Sequence, residues 1–79
     1  MNILERMRAT LDAEAEAIRS VNVTDDFVRA VEVMQACDGK IITTGIGKAG
    51  HIAEKFAATL CSTCTPAVFV HAAEAAHGD

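Results

Sequence analysis

Apolar positions recur along this chain with two periods, and the switch between them divides it into helices and strands. Residues 2 to 19 read as a helix, with Leu4, Met7, Leu11, Ala15 and Ile18 on one narrow seam and Glu5, Arg8, Asp12, Glu16 and Arg19 opposite. That seam fits either a solvated helix with a thin contact face or an oligomer contact. Ser20 to Asn22 breaks the pattern. Thr24 is a suitable N-cap, with Asp25 and Asp26 in the first turn where the helix dipole favours acid. The second helix runs to Ala36, with Phe27, Val31 and Met34 on the side expected to be buried. Asp38-Gly39 ends it, the glycine suiting a left-handed C-terminal position.

The pattern then tightens. Residues 40 to 44 form a near-continuous apolar strand, of the kind covered on both faces in a parallel sheet. After Gly45-Ile46-Gly47-Lys48-Ala49-Gly50, a helix is expected from Gly50 to Cys61, with Ile52, Ala53, Phe56, Ala57 and Leu60 inward. Pro66 closes the connection and residues 67 to 70 form a second strand. The order is β-α-β, for which a right-handed crossover is the rule. Two parallel strands with helices do not close an α/β domain, so the 79 residues read as the first part of one.

Composition narrows the class. Apolar residues are 51% of the chain, but with three Phe and no Trp or Tyr the core is built from alanine and short aliphatics. A chain this short buries only about 60% of its unfolded surface. The net charge of −4 argues against a nucleic-acid surface, which needs clustered Lys and Arg. No apolar run reaches the roughly 18 residues of a membrane span, and Met1 to Thr10 lacks the uninterrupted apolar stretch of a signal peptide. No membrane partner is therefore expected, and a cytoplasmic location is the default. Cys37, Cys61 and Cys64 fit a reducing compartment. Cys61-Ser62-Thr63-Cys64 spells C-x-x-C, but redox pairs open helices and this pair closes one, so inert buried thiols are expected. A zinc set of Cys61, Cys64, His71 and His77 matches no standard finger spacing.

The chemistry concentrates at the glycines. A strand that breaks into a glycine-rich turn at a helix N-terminus presents backbone N–H groups to an anion, and Lys48 adds a full charge there. The spacing also satisfies Gly-x-Gly-x-x-Gly, yet a dinucleotide site needs an acid at the tip of the next strand, about 20 positions on. That strand ends in His71, and Glu74 falls too late. The P-loop fails as well, because Lys48 is followed by Ala49 rather than Ser or Thr. His51 and Glu54 begin the helix, and no chemistry is assigned to them.

Three stretches together carry a resemblance: Thr44 to Ile52, Cys61 to Pro66, and His71 to Asp79. In order and spacing they resemble the sugar isomerase (SIS) domain, and within it the D-arabinose-5-phosphate isomerases of the KpsF/GutQ type, which carry T-G-x-G-K-S-G-H, S-T-G-T-P and H-P-x-E-A-x-H-G-D. The likeness is strong over residues 40 to 79 and loose before them. Ala49 stands where that family has Ser, and Cys64 where it has Gly.

The resemblance implies a three-layer, parallel-sheet, flavodoxin-like α/β fold. Residues 1–38 would be its N-terminal helical segment and 39–79 its first β-α-β part. It implies an aldose–ketose isomerase interconverting D-arabinose 5-phosphate and D-ribulose 5-phosphate, upstream of Kdo in lipopolysaccharide synthesis, with a non-catalytic phosphosugar-binding module or regulator as the alternative. Lys48 and His77 would be catalytic, and Gly47, Lys48, Cys64, Thr65 and His77 would bind substrate. His71 matches a position associated with an inhibitory zinc ion, and no cofactor is required. The family further implies a homo-oligomer, a tetramer, and later Glu and His residues in catalysis, so the 79 residues alone are expected to be incomplete as a catalyst.

Overall fold

The computed structural model describes residues 1–78; Asp79, the end of the His-Gly-Asp triplet and of the 39–79 segment, lies outside the described residues. The elements run α1 (Ile3–Arg19), α2 (Asp25–Ala36), β1 (Ile41–Gly45), α3 (Gly47–Ser62), β2 (Ala67–His71) and α4 (Ala72–Ala76). Packing divides the chain into two compact units, Met1–Ala30 and Val31–Asp79, the division falling within α2.

In the first unit, α1 begins where Asn2 accepts a 2.8 Å hydrogen bond from the Glu5 N–H and returns one of 3.1 Å to the Glu5 carboxylate. The first bond is the N-cap half of a capping box; the second joins the two side chains rather than reaching the Asn2 backbone N–H. Helix α2 starts as the sequence predicts: Thr24 Oγ1 accepts from the Asp26 N–H at 3.3 Å, with Asp25 and Asp26 in the first turn. The α1 seam is open, Leu4 being 77% exposed and only Ala15 partly covered. No residue of α1 or α2 is buried, so the inward role expected of Phe27, Val31 and Met34 is not realised; Met34 alone is half-buried. Periodicity identifies the apolar face, but coverage depends on what packs against it. Gly39 is not left-handed either; positive φ occurs at Gly47, Gly78 and Cys64.

The second unit is a β-α-β unit. Strands β1 and β2 pair in parallel, Ile41 opposite Ala67 through Gly45 opposite His71, one residue later than the 40–44 strand expected from the pattern. Helix α3 packs on one face of the pair, where Thr43 Oγ1 donates a 2.7 Å hydrogen bond to the Ala53 carbonyl. The other face carries Ile42, 65% exposed, so coverage is one-sided rather than two-sided. Along α3, Gly50 and Ala57 are buried and Ala53 and Leu60 half-buried, while Ile52 (70% exposed) and Phe56 (45%) point outward, against expectation. Small residues line the helix–sheet contact because they let the backbones approach closely. Helix α3 also starts at Gly47, three residues before the predicted Gly50, so the glycine stretch forms its first turn.

All three cysteines are exposed, which overturns the buried-thiol expectation. Cys61 closes α3 with its Sγ–H donating to the Ala67 carbonyl at 3.1 Å. Beyond it, the Cys64 N–H donates to Cys61 O (3.2 Å) and the Thr65 N–H to Leu60 O (2.8 Å). That pair of bonds is the Schellman motif, with Cys64 at the left-handed position, φ 70°.

Candidate anion site at the carboxyl edge of the sheet

The three glycines do two different jobs. A Cβ on Gly45 would lie 3.0 Å from Gly50 N, and one on Gly50 would lie 3.0 Å from Gly45 O. The end of β1 and the first turn of α3 therefore touch backbone to backbone, which only glycine permits at both positions. Gly47 has open space around it but φ of +58°, a backbone state that other residues resist.

Between them the helix start is left bare. Ile46 is the N-cap, extended at φ −131° and ψ 161°, and it offers no side-chain cap. The Gly50 N–H donates to Ile46 O at 3.0 Å, so the preceding N–H groups of Gly47, Lys48 and Ala49 have no intrahelical partner. No acidic residue lies in the first turn. Lys48 sits there instead, although the helix dipole opposes a cation at this end by about 0.3–1 kcal/mol. Neither of the ion pairs among the described residues, Arg19–Glu16 and Arg29–Asp26, involves it. Uncapped donors, a misplaced cation and no acid make a local excess of positive charge that an anion would satisfy.

The same edge of the sheet carries the end of β2. His71 closes the strand and caps α4, its Nδ1 accepting from the Ala73 N–H at 3.2 Å. With Nδ1 as acceptor, the neutral ring carries its proton on Nε2, and neither nitrogen offers a free lone pair to a cation. Among the described residues no group of three or more His, Cys, Asp or Glu is arranged to hold a metal ion. The Cys61, Cys64, His71 and His77 set is therefore not assembled among the described residues, and the Nδ1 lone pair of His71 is taken by the Ala73 N–H. His77 is the exposed C-cap of α4, its N–H donating to Glu74 O at 3.0 Å, followed by Gly78 at φ 92°.

A hollow of about 150 Å³ lies on this edge, lined by Gly47, Gly50, His51, Glu54, Phe69 and His71. Phe69 meets His71 edge-on, ring centroids 6.5 Å apart. His51 and Glu54 were assigned no chemistry from sequence, yet with Gly47 and Gly50 they fall at the i, i+3, i+4, i+7 spacing of one helix face. The early start of α3 is what puts Glu54 in the second turn, beyond the reach of a capping role.

Cys64 and Thr65 are not part of this arrangement. A crossover helix carries the chain from the carboxyl edge back to the amino edge, and Lys48 to Ser62 spans about 20 Å along α3. Pro66 O receives the Ile41 N–H at 2.9 Å, at the opening end of both strands. Thr65 lines a separate hollow of about 270 Å³ with Val31, Met34, Gln35, Phe56 and Leu60. Cys64 and Thr65 therefore lie at the opposite end of α3 from Gly47 and Lys48. Gly47, Lys48 and His71 lie at the carboxyl edge, and His77 follows at the far end of α4.

No protein-family model matches the chain. A relative from Escherichia coli (strain K12) named arabinose 5-phosphate isomerase GutQ is 64% identical over 55 residues, which is 70% of this chain and 17% of the relative. The Pseudomonas aeruginosa protein named arabinose 5-phosphate isomerase KdsD is 43% identical over 81 residues, spanning 100% of this chain and 25% of that protein. An E. coli CFT073 protein solved in complex with arabinose 5-phosphate superposes with a TM-score of 0.85 at 39% identity, covering 100% of this chain and 45% of that one. The proteins it resembles here are phosphosugar isomerases of the SIS type. A Bacteroides fragilis protein assigned as a phosphosugar isomerase involved in capsule formation superposes still more closely, with a TM-score of 0.92, 42% identity, and coverage of 98% of this chain and 42% of that one. The chain described here thus spans 17% to 25% of the length of these curated relatives.

Proposed function

We propose that this chain supplies the phosphosugar-binding edge of an aldose–ketose isomerase that interconverts D-arabinose 5-phosphate and D-ribulose 5-phosphate. The observation that carries the reading is the uncapped, glycine-built N-terminus of α3 with Lys48 in its first turn. Relatives named for this activity, and a structural neighbour solved with arabinose 5-phosphate bound, support it.

The isomerisation moves a proton between adjacent carbons through an enediol. It needs a base at the carbons, a charge stabiliser at the oxygens and a hold on the phosphate. Gly47 N–H and its neighbours bind an oxyanion, and Lys48 stabilises negative charge on substrate oxygens. His77, following β2 at the far end of α4, is the acid/base or hydrogen-bonding group, since imidazole exchanges protons near neutrality. The remaining catalytic groups lie outside these residues. Inhibition by zinc at His71 would require the ring to change tautomer and release Ala73. Proposed partners are a sugar phosphate and further copies of the chain, in a cytoplasmic setting, feeding synthesis of Kdo; among the described residues no helix is long and apolar enough to cross a membrane.

The second reading, a phosphosugar-binding module without catalysis, is favoured by one observation: the bare helix start can hold a phosphate without any base. A chimera separates the two, with this chain replacing the matching segment of the E. coli relative named GutQ. The chimera should turn over arabinose 5-phosphate, and Lys48→Ala should lower kcat/KM by about 100-fold or more. Full turnover by Lys48→Ala removes the assignment of Lys48; binding without turnover by the parent chimera favours the second reading.

A further inference from the structure

The residue least suited to its backbone is Cys64. It is the one non-glycine residue with positive φ among those described, at the Schellman position where glycine is preferred. A left-handed conformation at such a residue is strained, and strain of that kind clusters where side-chain chemistry is used. The chemistry within reach is a second thiol. Cys61 lies three residues upstream in the last turn of α3, both cysteines are exposed, and the Cys64 N–H donates to the Cys61 carbonyl at 3.2 Å. That bond closes a turn whose end Cα atoms lie within about 7 Å, overlapping the separation of about 4.4–6.8 Å that a disulfide demands.

We propose that Cys61 and Cys64 form a reversible disulfide, made by exchange with a low-molecular-weight disulfide such as oxidised glutathione. Cys64 attacks first, because the Cys61 thiol is held by the Ala67 carbonyl at 3.1 Å. The Cys64 thiolate displaces one glutathione thiolate and forms a mixed disulfide. Cys61 leaves its hydrogen bond, loses its proton, attacks the Cys64 sulfur and displaces the second glutathione. Two protein thiols are oxidised, one glutathione disulfide is reduced to two thiols, and the protons pass from the cysteines to the departing thiolates.

Position in the fold fixes the character of this pair. C-x-x-C pairs that act as strong oxidants have a reduced form stabilised at a helix N-terminus. Here the pair sits at the opposite end, where the helix dipole gives a thiolate no such help, so the disulfide persists once made. It lies at the amino edge of the sheet, away from Lys48 and His77. The proposal is therefore independent of the isomerase reading, and activity is not its readout.

The test equilibrates the 79-residue chain in glutathione redox buffers, traps free thiols by alkylation and maps peptides by mass spectrometry, with and without urea. The expected product has lost two hydrogens in the peptide joining Cys61 to Cys64, while Cys37 remains alkylated or glutathionylated. Because the folded turn holds the thiols together, the cross-link should be at least about tenfold more favourable in native buffer than in urea, roughly a 30 mV difference in potential. Cys37→Ser should keep the cross-link, and Cys61→Ser should leave glutathione on Cys64. Separate glutathione adducts on Cys61 and Cys64, a linkage through Cys37, or equal cross-linking in native buffer and urea would each overturn the proposal.

Discussion

Replacing Gly50 by alanine sets two physical effects directly against each other. Gly50 lies inside α3, where alanine is favoured over glycine by about 1 kcal/mol through helix propensity and the smaller entropy of the unfolded chain. Opposing that gain, the new Cβ would sit 3.0 Å from Gly45 O and 3.1 Å from Gly45 C. Both atoms are backbone at the end of β1, so relief means moving the strand away from the helix rather than turning a side chain. Overpacking of this kind costs about 1–3 kcal/mol, and a backbone collision belongs at the upper end. The net expectation is a loss of about 2 kcal/mol. Gly45→Ala meets Gly50 N at 3.0 Å and Ala49 C at 3.1 Å without any helix-propensity gain, so it should cost somewhat more. Gly47 has nothing within 4 Å, and Gly47→Ala should cost only the left-handed penalty of about 1–2 kcal/mol. Gly47→Asn should recover most of that, since asparagine tolerates this backbone state. Urea denaturation followed by far-UV circular dichroism reads the order. At about 1 kcal/mol per molar urea, a loss of 2 kcal/mol moves the midpoint by roughly 2 M. A Gly50→Ala variant more stable than the parent would refute the close approach of strand and helix.

Three further outcomes follow from the same geometry. Cys64→Gly should stabilise the chain by about 1 kcal/mol relative to Cys64→Ala, a rise of roughly 4–8 °C in Tm, because both remove the thiol but only glycine relieves φ 70°; equal melting points would mean the turn is unstrained. In the chimera, His77→Ala should lower kcat by about 100-fold to 10,000-fold. His71→Ala should keep most activity and lose any zinc sensitivity, and a steady-state assay with and without zinc that finds equal losses in both variants refutes this division. The open α1 seam should drive self-association, so Met7→Glu with Leu11→Glu should shift sedimentation velocity toward monomer, and an unchanged distribution would place the contact elsewhere.

The β-α-β order was legible because strand runs and the helix period are local properties of the chain. The start of α3 was not. Glycine reads as a helix breaker, yet α3 takes in Gly50, whose backbone meets Gly45, and Gly47, whose φ of +58° suits glycine. Coverage was illegible for a related reason: Phe56 and Ile52 satisfy the apolar period, but the sheet meets the alanine side of α3. That a glycine turn carrying Lys48 joins β1 to a helix could be read directly, since spacing suffices there. His51 and Glu54 emerged only once the helix face was placed against Phe69 and His71. Motif order alone does not say at which sheet edge Cys64 and Thr65 lie. Residues that belong to one family signature can lie at opposite sheet edges, and the β-α-β topology, rather than the motif, decides which.

The Thr43 hydroxyl that reaches the Ala53 carbonyl also bears on the order in which the chain assembles. This link closes across ten residues, whereas Thr44 Oγ1 reaches Val70 O across 26. Loop-closure entropy makes the longer connection costlier by about 0.8 kcal/mol. Helix α3 is therefore expected to meet β1 before β2 does, an order that φ-values at Thr43 and Thr44 would test, and in that interval the edge of β1 that β2 fills would stand empty. On a crowded ribosome, the strand that fills this edge first could belong to another nascent copy, so the route to a domain-swapped assembly opens during synthesis rather than after it.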